Sequence, residues 1–124
     1  MANILLVEDD EQVCDMLAQV LVRAQHTVQT AVDGEAALDV LRHFNPDLMV
    51  TDIIMPKKSG TELIKEIKVK HPRLEIIAIS GGGRSDPMDY LDLSEELGAS
   101  ISFAKPIDNE ALLLSINLLL KKRR

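Results

Sequence analysis

Aromatic side chains are scarce in this chain: its 124 residues include no Trp, one Tyr and two Phe. A flavin ring would have little to stack on, and no hydroxyl-rich loop follows the first strand-like run, so a flavin-binding electron carrier is a poor fit. The single cysteine, Cys14, excludes an internal disulfide and a cysteine-built metal cage. Lying within a helical pattern, it reads as a small buried hydrophobe in a reducing compartment. No apolar run approaches the roughly 18 residues that read as a membrane span, and the N-terminus enters a strand pattern without the charge layout of a signal peptide. The expectation is a soluble, cytoplasmic protein with no membrane partner. Positive charge is also short, with 14 Lys and Arg against 20 Asp and Glu for a formal net charge of -6. That balance opposes binding to a phosphate backbone, and the basic run at 121–124 reads as a solvated tail, so no direct nucleic-acid partner is expected.

What the chain does have is an alternation. Strand-like runs at 3–7, 27–31, 47–51, 75–79 and 100–104 are separated by helical patterns, which predicts a doubly wound parallel α/β sheet covered on both faces. A chain of this length forms one domain, expected over 1–124, and buries roughly two-thirds of its unfolded surface without staples. The first helix carries Val13, Met16, Leu17, Val20 and Leu21 as its apolar stripe. The second is capped by Asp33, packs through Ala37, Val40, Leu41 and Phe44, and is stopped by Pro46. The third follows Gly60 and uses Leu63, Ile64 and Ile67, while the fourth runs from Asp86, with Pro87 at its first position, to Gly98. The fifth starts near Asp108. Its Leu112, Ile116, Leu119 and Leu120 fall on the side expected to face the sheet, and Ala111, Leu114 and Leu118 fall on the other.

The strand-like runs end in residues suited to phosphate chemistry: Glu8 and Asp9, Asp52, Ser80 and Lys105. In an open α/β sheet these carboxyl ends line one edge, where ligand sites form. Glu8 and Asp9 alone would be adequate as helix-start acids, worth about 1 kcal/mol. That reading leaves Asp52 unexplained. Unit charges about 4 Å apart repel by roughly 4 kcal/mol at an effective dielectric of 20, so three gathered carboxylates call for a proton or a cation. Hard oxygen ligands suit Mg²⁺, which commonly shares its shell with a phosphate. One carboxylate is then available as a nucleophile forming an aspartyl phosphate, Lys105 as the cation offsetting phosphoryl charge, and the Ser80 hydroxyl as a donor to a remaining oxygen. Taken singly, Lys105-Pro106 and Met55-Pro56 with Gly60 read as ordinary loops. The Gly81–Gly83 run lacks the Lys and Ser/Thr of a nucleotide-binding phosphate loop and reads as a mobile site loop. His26, His43 and His71 follow no strand end and read as surface or packing residues, not as a phosphocarrier.

In order and context, Glu8-Asp9, Asp52, Met55-Pro56, Gly60, Ser80, Gly98-Ala99 and Lys105-Pro106 resemble a receiver domain of two-component response regulators, and the resemblance covers essentially the whole chain. It implies a flavodoxin-like fold of five strands in the order 2-1-3-4-5 with five helices. It implies that Asp52 accepts a phosphoryl group from a sensor histidine kinase or a histidine phosphotransfer protein, with no catalysis beyond its own phosphorylation and dephosphorylation. Asp9, Asp52 and the backbone carbonyl of Ile54 would hold Mg²⁺, and Glu8 would act mainly through bound water. Ser80 would be the switch hydroxyl and Lys105 the phosphate contact. A downstream protein, or a second copy of the chain, would bind through the fourth helix, fifth strand and fifth helix. Two features depart from the family: the segment between Ser80 and Gly98 is a few residues longer than usual and glycine-rich, and the residue three before the lysine, usually aromatic, is Ser102. Phe103 does not replace it, because adjacent strand residues face opposite ways. Two rivals compete with this reading. A phosphatase of the haloacid-dehalogenase type would carry its nucleophilic Asp at the end of the first strand, and a constitutive scaffold of the same fold would not need the full set of site residues.

Overall fold

The computed structural model describes residues 2–53, 60–80, 98–105 and 107–122. Strands β1 (Asn3–Val7), β3 (Leu48–Asp52) and β4 (Glu75–Ser80) are apolar almost throughout, and all but the first residue of β1 and of β4 are buried. Such runs, buried on both faces, suit the interior of a parallel sheet. The more polar β2 (Thr27–Ala31) and the short β5 (Ile101–Ala104) lie at its edges. All pairings are parallel, and the order is β2-β1-β3-β4-β5, the order the resemblance implies.

Alternation along each strand divides the core in two. Leu5, Val7, Met49, Ile76 and Ala78 face helices α2 (Gly34–Val40) and α3 (Gly60–Lys70), meeting Ala37, Leu63, Ile64 and Ile67. Ile4, Leu6, Leu48, Val50, Ile77 and Ile79 face the other way, onto Leu17 and Leu21 of α1 (Glu11–Arg23) and onto Leu112, Ile116 and Leu119 of the C-terminal helix (Asn109–Lys122). The anticipated cap of α2 is present, and the C-terminal helix has one at the residue expected only to start it. Asp33 Oδ1 accepts from the Ala36 amide at 2.8 Å, and Asp108 Oδ1 accepts from the amides of Glu110 and Ala111 at 2.9 and 3.4 Å. Four of the five expected helices are described; the expected fourth, from Asp86 to Gly98, falls outside the described residues except at its last position.

Two details depart from the sequence reading. Met16, assigned to the buried stripe of α1, is half exposed, because the buried arc runs through Leu17 and Leu21 and is flanked by Val13, Cys14 and Ala18. Helix α2 ends at Val40, and Leu41 and Phe44 reach the core from the turn beyond it. The end of α1 has no glycine to mark it. Helix α1 closes with Gln25 at φ 74 and with His26 N–H donating to the Leu21 carbonyl at 3.1 Å, a left-handed stop made without glycine.

Gly98 has φ +127, and a Cβ there would lie 2.7 Å from Lys68 Cγ. That lysine is held in place, since its Nζ donates to the carbonyls of Pro72 and Leu74 at 3.0 and 3.1 Å. Gly98→Ala combines backbone strain with displacement of this anchored stem, and should cost about 1–2 kcal/mol. Urea unfolding reads the loss; an unchanged midpoint would show that the loop relaxes freely.

Candidate functional site

Parallel register brings the strand ends together. Val7 is level with Thr51, Asp52 with Ile79, and Ser80 with Ala104. Glu8, Asp52, Ser80 and Lys105 therefore emerge along one edge of the sheet. Backbone bonds tie the edge together: Glu8 N–H donates to Ala31, Ile53 N–H to Ile79 and Lys105 N–H to Ser80, at 3.0, 2.9 and 2.8 Å.

Lys105 is the hub. Its Nζ donates to Glu8 Oε1 at 2.9 Å and to Asp52 Oδ2 at 3.1 Å, with Glu8 and Asp52 almost wholly buried. Burial alone would pull the ammonium down, but the hydrogen bonds and charges of the two carboxylates together outweigh it, and the Lys105 pKa is raised above its ordinary 10.5. Asp9 completes the group: one oxygen each from Glu8, Asp9 and Asp52 lies within 4.8 Å of the others. Among these four side chains negative charge is in excess, and the donors are hard oxygens, so the residues present fit a divalent cation of the Mg²⁺ type. The Ser80 hydroxyl is fully buried and, among the described residues, has no hydrogen-bond partner. A buried orphan donor at a strand end is costly unless a ligand engages it.

Crowding shows in Asp9. Although the residue is exposed by area, the packing around its carboxyl, its hydrogen bond with Glu8 and the Glu8 charge hold its pKa above 3.8. A carboxyl whose folded pKa is raised costs no stability below the unfolded value, and the penalty grows as pH rises through the folded one. Asp9→Asn should therefore melt higher than the parent at pH 7 without metal, with the difference fading below about pH 4. Equal melting temperatures at pH 7 would contradict this.

The structure also separates the helix-start role from the site. Asp10, not Glu8 or Asp9, caps α1: its Oδ1 accepts from the amides of Gln12 and Val13 at 3.0 and 3.3 Å. The reading of the acidic pair as mere helix-start residues is thereby excluded. The sequence held the signal, an Asp directly before the helical pattern, but four consecutive acids, Glu8 to Glu11, hid which one caps. The direct Glu8–Lys105 pair was likewise not anticipated. The expected contributions of Ile54, Met55-Pro56, Gly81–Gly83 and Pro106 lie outside the described residues. His43 and His71 are exposed, and His26 is buried below its ordinary protonation range by desolvation. Cys14 is half-buried, and burial raises its thiol. No helix among the described residues is long and apolar enough to cross a membrane.

Fold and strand-end chemistry together define a phosphate-handling module on a doubly wound sheet, and comparison with known proteins gives the family. Residues 4–117 match the response regulator receiver domain. The chain is 34% identical over 122 residues to the transcriptional regulatory protein CpxR of Escherichia coli K12, covering 98% of this chain and 50% of that one. It thus spans about half the length of that regulator. It is 32% identical over 106 residues to sporulation initiation phosphotransferase F of Bacillus subtilis, covering 86% of this chain and 83% of that protein. The receiver domain of NtrX from Brucella abortus superposes with a TM-score of 0.88 at 30% identity, over 95% of this chain and 98% of that one. The chain belongs to the response regulator receiver domain family, the phosphoacceptor domain of two-component signalling.

Proposed function

We propose that residues 1–124 form one receiver domain in which Asp52 accepts a phosphoryl group from a phosphohistidine on a sensor kinase or phosphotransfer protein. The observation that carries this reading is the juxtaposition of Asp52, bridged to Glu8 through Lys105, with the buried Ser80 hydroxyl at the same sheet edge, which has no partner among the described residues. An Asp52 oxygen attacks phosphorus; the new P–O bond forms as the P–N bond breaks, and the imidazole nitrogen keeps the electron pair. The Lys105 ammonium offsets charge on the phosphoryl oxygens. The Ser80 hydroxyl donates to one of them. Glu8, Asp9 and Asp52, with the Ile54 carbonyl, would hold Mg²⁺, which when bound neutralises phosphoryl charge. The chain catalyses only this transfer and the attack of water on the aspartyl phosphate, which restores the Asp52 carboxylate and releases inorganic phosphate.

Phosphorylation then alters a surface for a downstream protein or a second copy of the chain. Leu114 and Leu118, each 64% exposed on the C-terminal helix, support that helix as part of the surface. Phe103 packs toward that helix, so Ser102 alternates to the opposite face of β5, and the helix carries more of the recognition than the strand. The net charge of -6 favours a protein partner over nucleic acid for this domain, and a cytoplasmic setting suits its donors.

A small acyl phosphate with Mg²⁺ should add one phosphoryl group per chain, read by intact mass, and a chelator should abolish the addition. Undiminished labelling in chelator would refute the metal-dependent reading.

A further inference from the structure

We propose that Asp10 is a positioning residue for phosphoryl transfer, coupling the N-terminus of α1 to the orientation of the Glu8 carboxylate and through it to Lys105. The inference rests on the reading of Asp52 as phosphoacceptor. Asp10 makes two kinds of contact in opposite directions along the chain. Forward, its Oδ1 accepts from the Gln12 and Val13 amides at 3.0 and 3.3 Å, and its carbonyl accepts from Cys14 N–H at 2.8 Å. These bonds fix the residue at φ -82, ψ 111, the extended geometry of a helix cap. Backward, its own N–H donates to Glu8 Oε2 at 3.1 Å.

The second contact matters because of what the other Glu8 oxygen does. Oε1 accepts from Lys105 Nζ at 2.9 Å, and Lys105 in turn donates to Asp52 at 3.1 Å. With one oxygen pinned by the Asp10 amide, the carboxylate plane is fixed and Oε1 is presented to Lys105. The cap thus sets the direction of a backbone N–H, the N–H sets a buried carboxylate, and the carboxylate sets the ammonium beside the phosphoacceptor. Asp9 lies between the two anchored residues, so its place in the carboxylate group depends on the same cap. The Ser80 hydroxyl at the same edge is buried and, among the described residues, has no hydrogen-bond partner.

Two mild substitutions separate positioning from charge. Asp10→Asn keeps a capping oxygen and loses the charge; Asp10→Glu keeps the charge, but its longer side chain no longer reaches the first-turn amides from the cap position. Partners that orient metal ligands typically contribute 10–100-fold in affinity or activity. Asp10→Glu should therefore raise the Mg²⁺ concentration for half-maximal labelling by an acyl phosphate about tenfold, and Asp10→Asn should stay close to the parent. Circular dichroism and thermal melting establish that both variants are folded at the assay temperature. Equal Mg²⁺ dependence in the parent and Asp10→Glu would overturn the proposal. So would equal weakening in both variants, which assigns the effect to charge. If the parent itself takes no label, the phosphoacceptor reading fails. Mg²⁺ binding by the unlabelled proteins, followed by calorimetry, then still reports on positioning: the same order of affinities supports it, and equal affinities reject it.

Discussion

Asp52→Asn is expected to take no detectable phosphoryl label from an acyl phosphate or from a phosphohistidine donor. The substitution preserves shape and volume at the end of the central strand, so β3 keeps its register between β1 and β4. What it removes is the anionic oxygen, since an uncharged amide is far too weak a nucleophile toward phosphorus. Lys105 keeps Glu8 as a partner at 2.9 Å, and the local excess of carboxylate charge falls. The variant should therefore melt no lower than the parent while losing labelling altogether. Intact mass after incubation, with far-ultraviolet circular dichroism as the control for folding, checks both parts. Labelling at the parent's level would move the acceptor to another residue.

Lys105→Met should produce the second largest effect, this time on stability. Methionine fills most of the lysine stem's volume but leaves Glu8 and Asp52 side by side, 2% and 7% exposed, without their shared cation. Removing one partner of a buried ion pair costs roughly 3–5 kcal/mol; with Lys105 a quarter exposed, solvent screening lowers the expectation to about 2–3 kcal/mol. The pH window follows from the raised Lys105 pKa. A lysine whose folded pKa exceeds its unfolded one contributes fully below about 10.5 and loses that contribution as pH rises through the folded value. The parent and Lys105→Met should thus differ fully at pH 7 and converge in strong alkali. Urea denaturation at neutral pH provides the check, and coincident midpoints would show that the bridge contributes nothing.

The fold was legible in the sequence because buried parallel strands appear as short apolar runs, and residues 3–7 and 27–31 coincide with β1 and β2 as found. The strand-end residues were legible for a related reason: Asp52, Ser80 and Lys105 interrupt or follow apolar runs where packing alone would not put them. Other features need three dimensions. Met16 sits at the right helical spacing for burial, yet the arc of α1 that meets the sheet is set by Leu17 and Leu21, which rotates Met16 outward. Gln25 carries no mark of its positive φ, since the closing bonds to Val22 and Leu21 impose it. Within Glu8-Asp9-Asp10, composition does not say which acid faces Lys105 and which caps the helix. Only the end of β1 and the start of α1 decide that.

The most direct measurement is the position of the phosphoryl group in the otherwise unaltered protein. Borohydride reduces an acyl phosphate to a primary alcohol at the modified side chain, and peptide mass spectrometry then locates it. Reduction at Asp52 alone is the expected result. Reduction at Glu8 or Asp9 instead, or label carried on His26, His43 or His71, would contradict Asp52 as the phosphoacceptor.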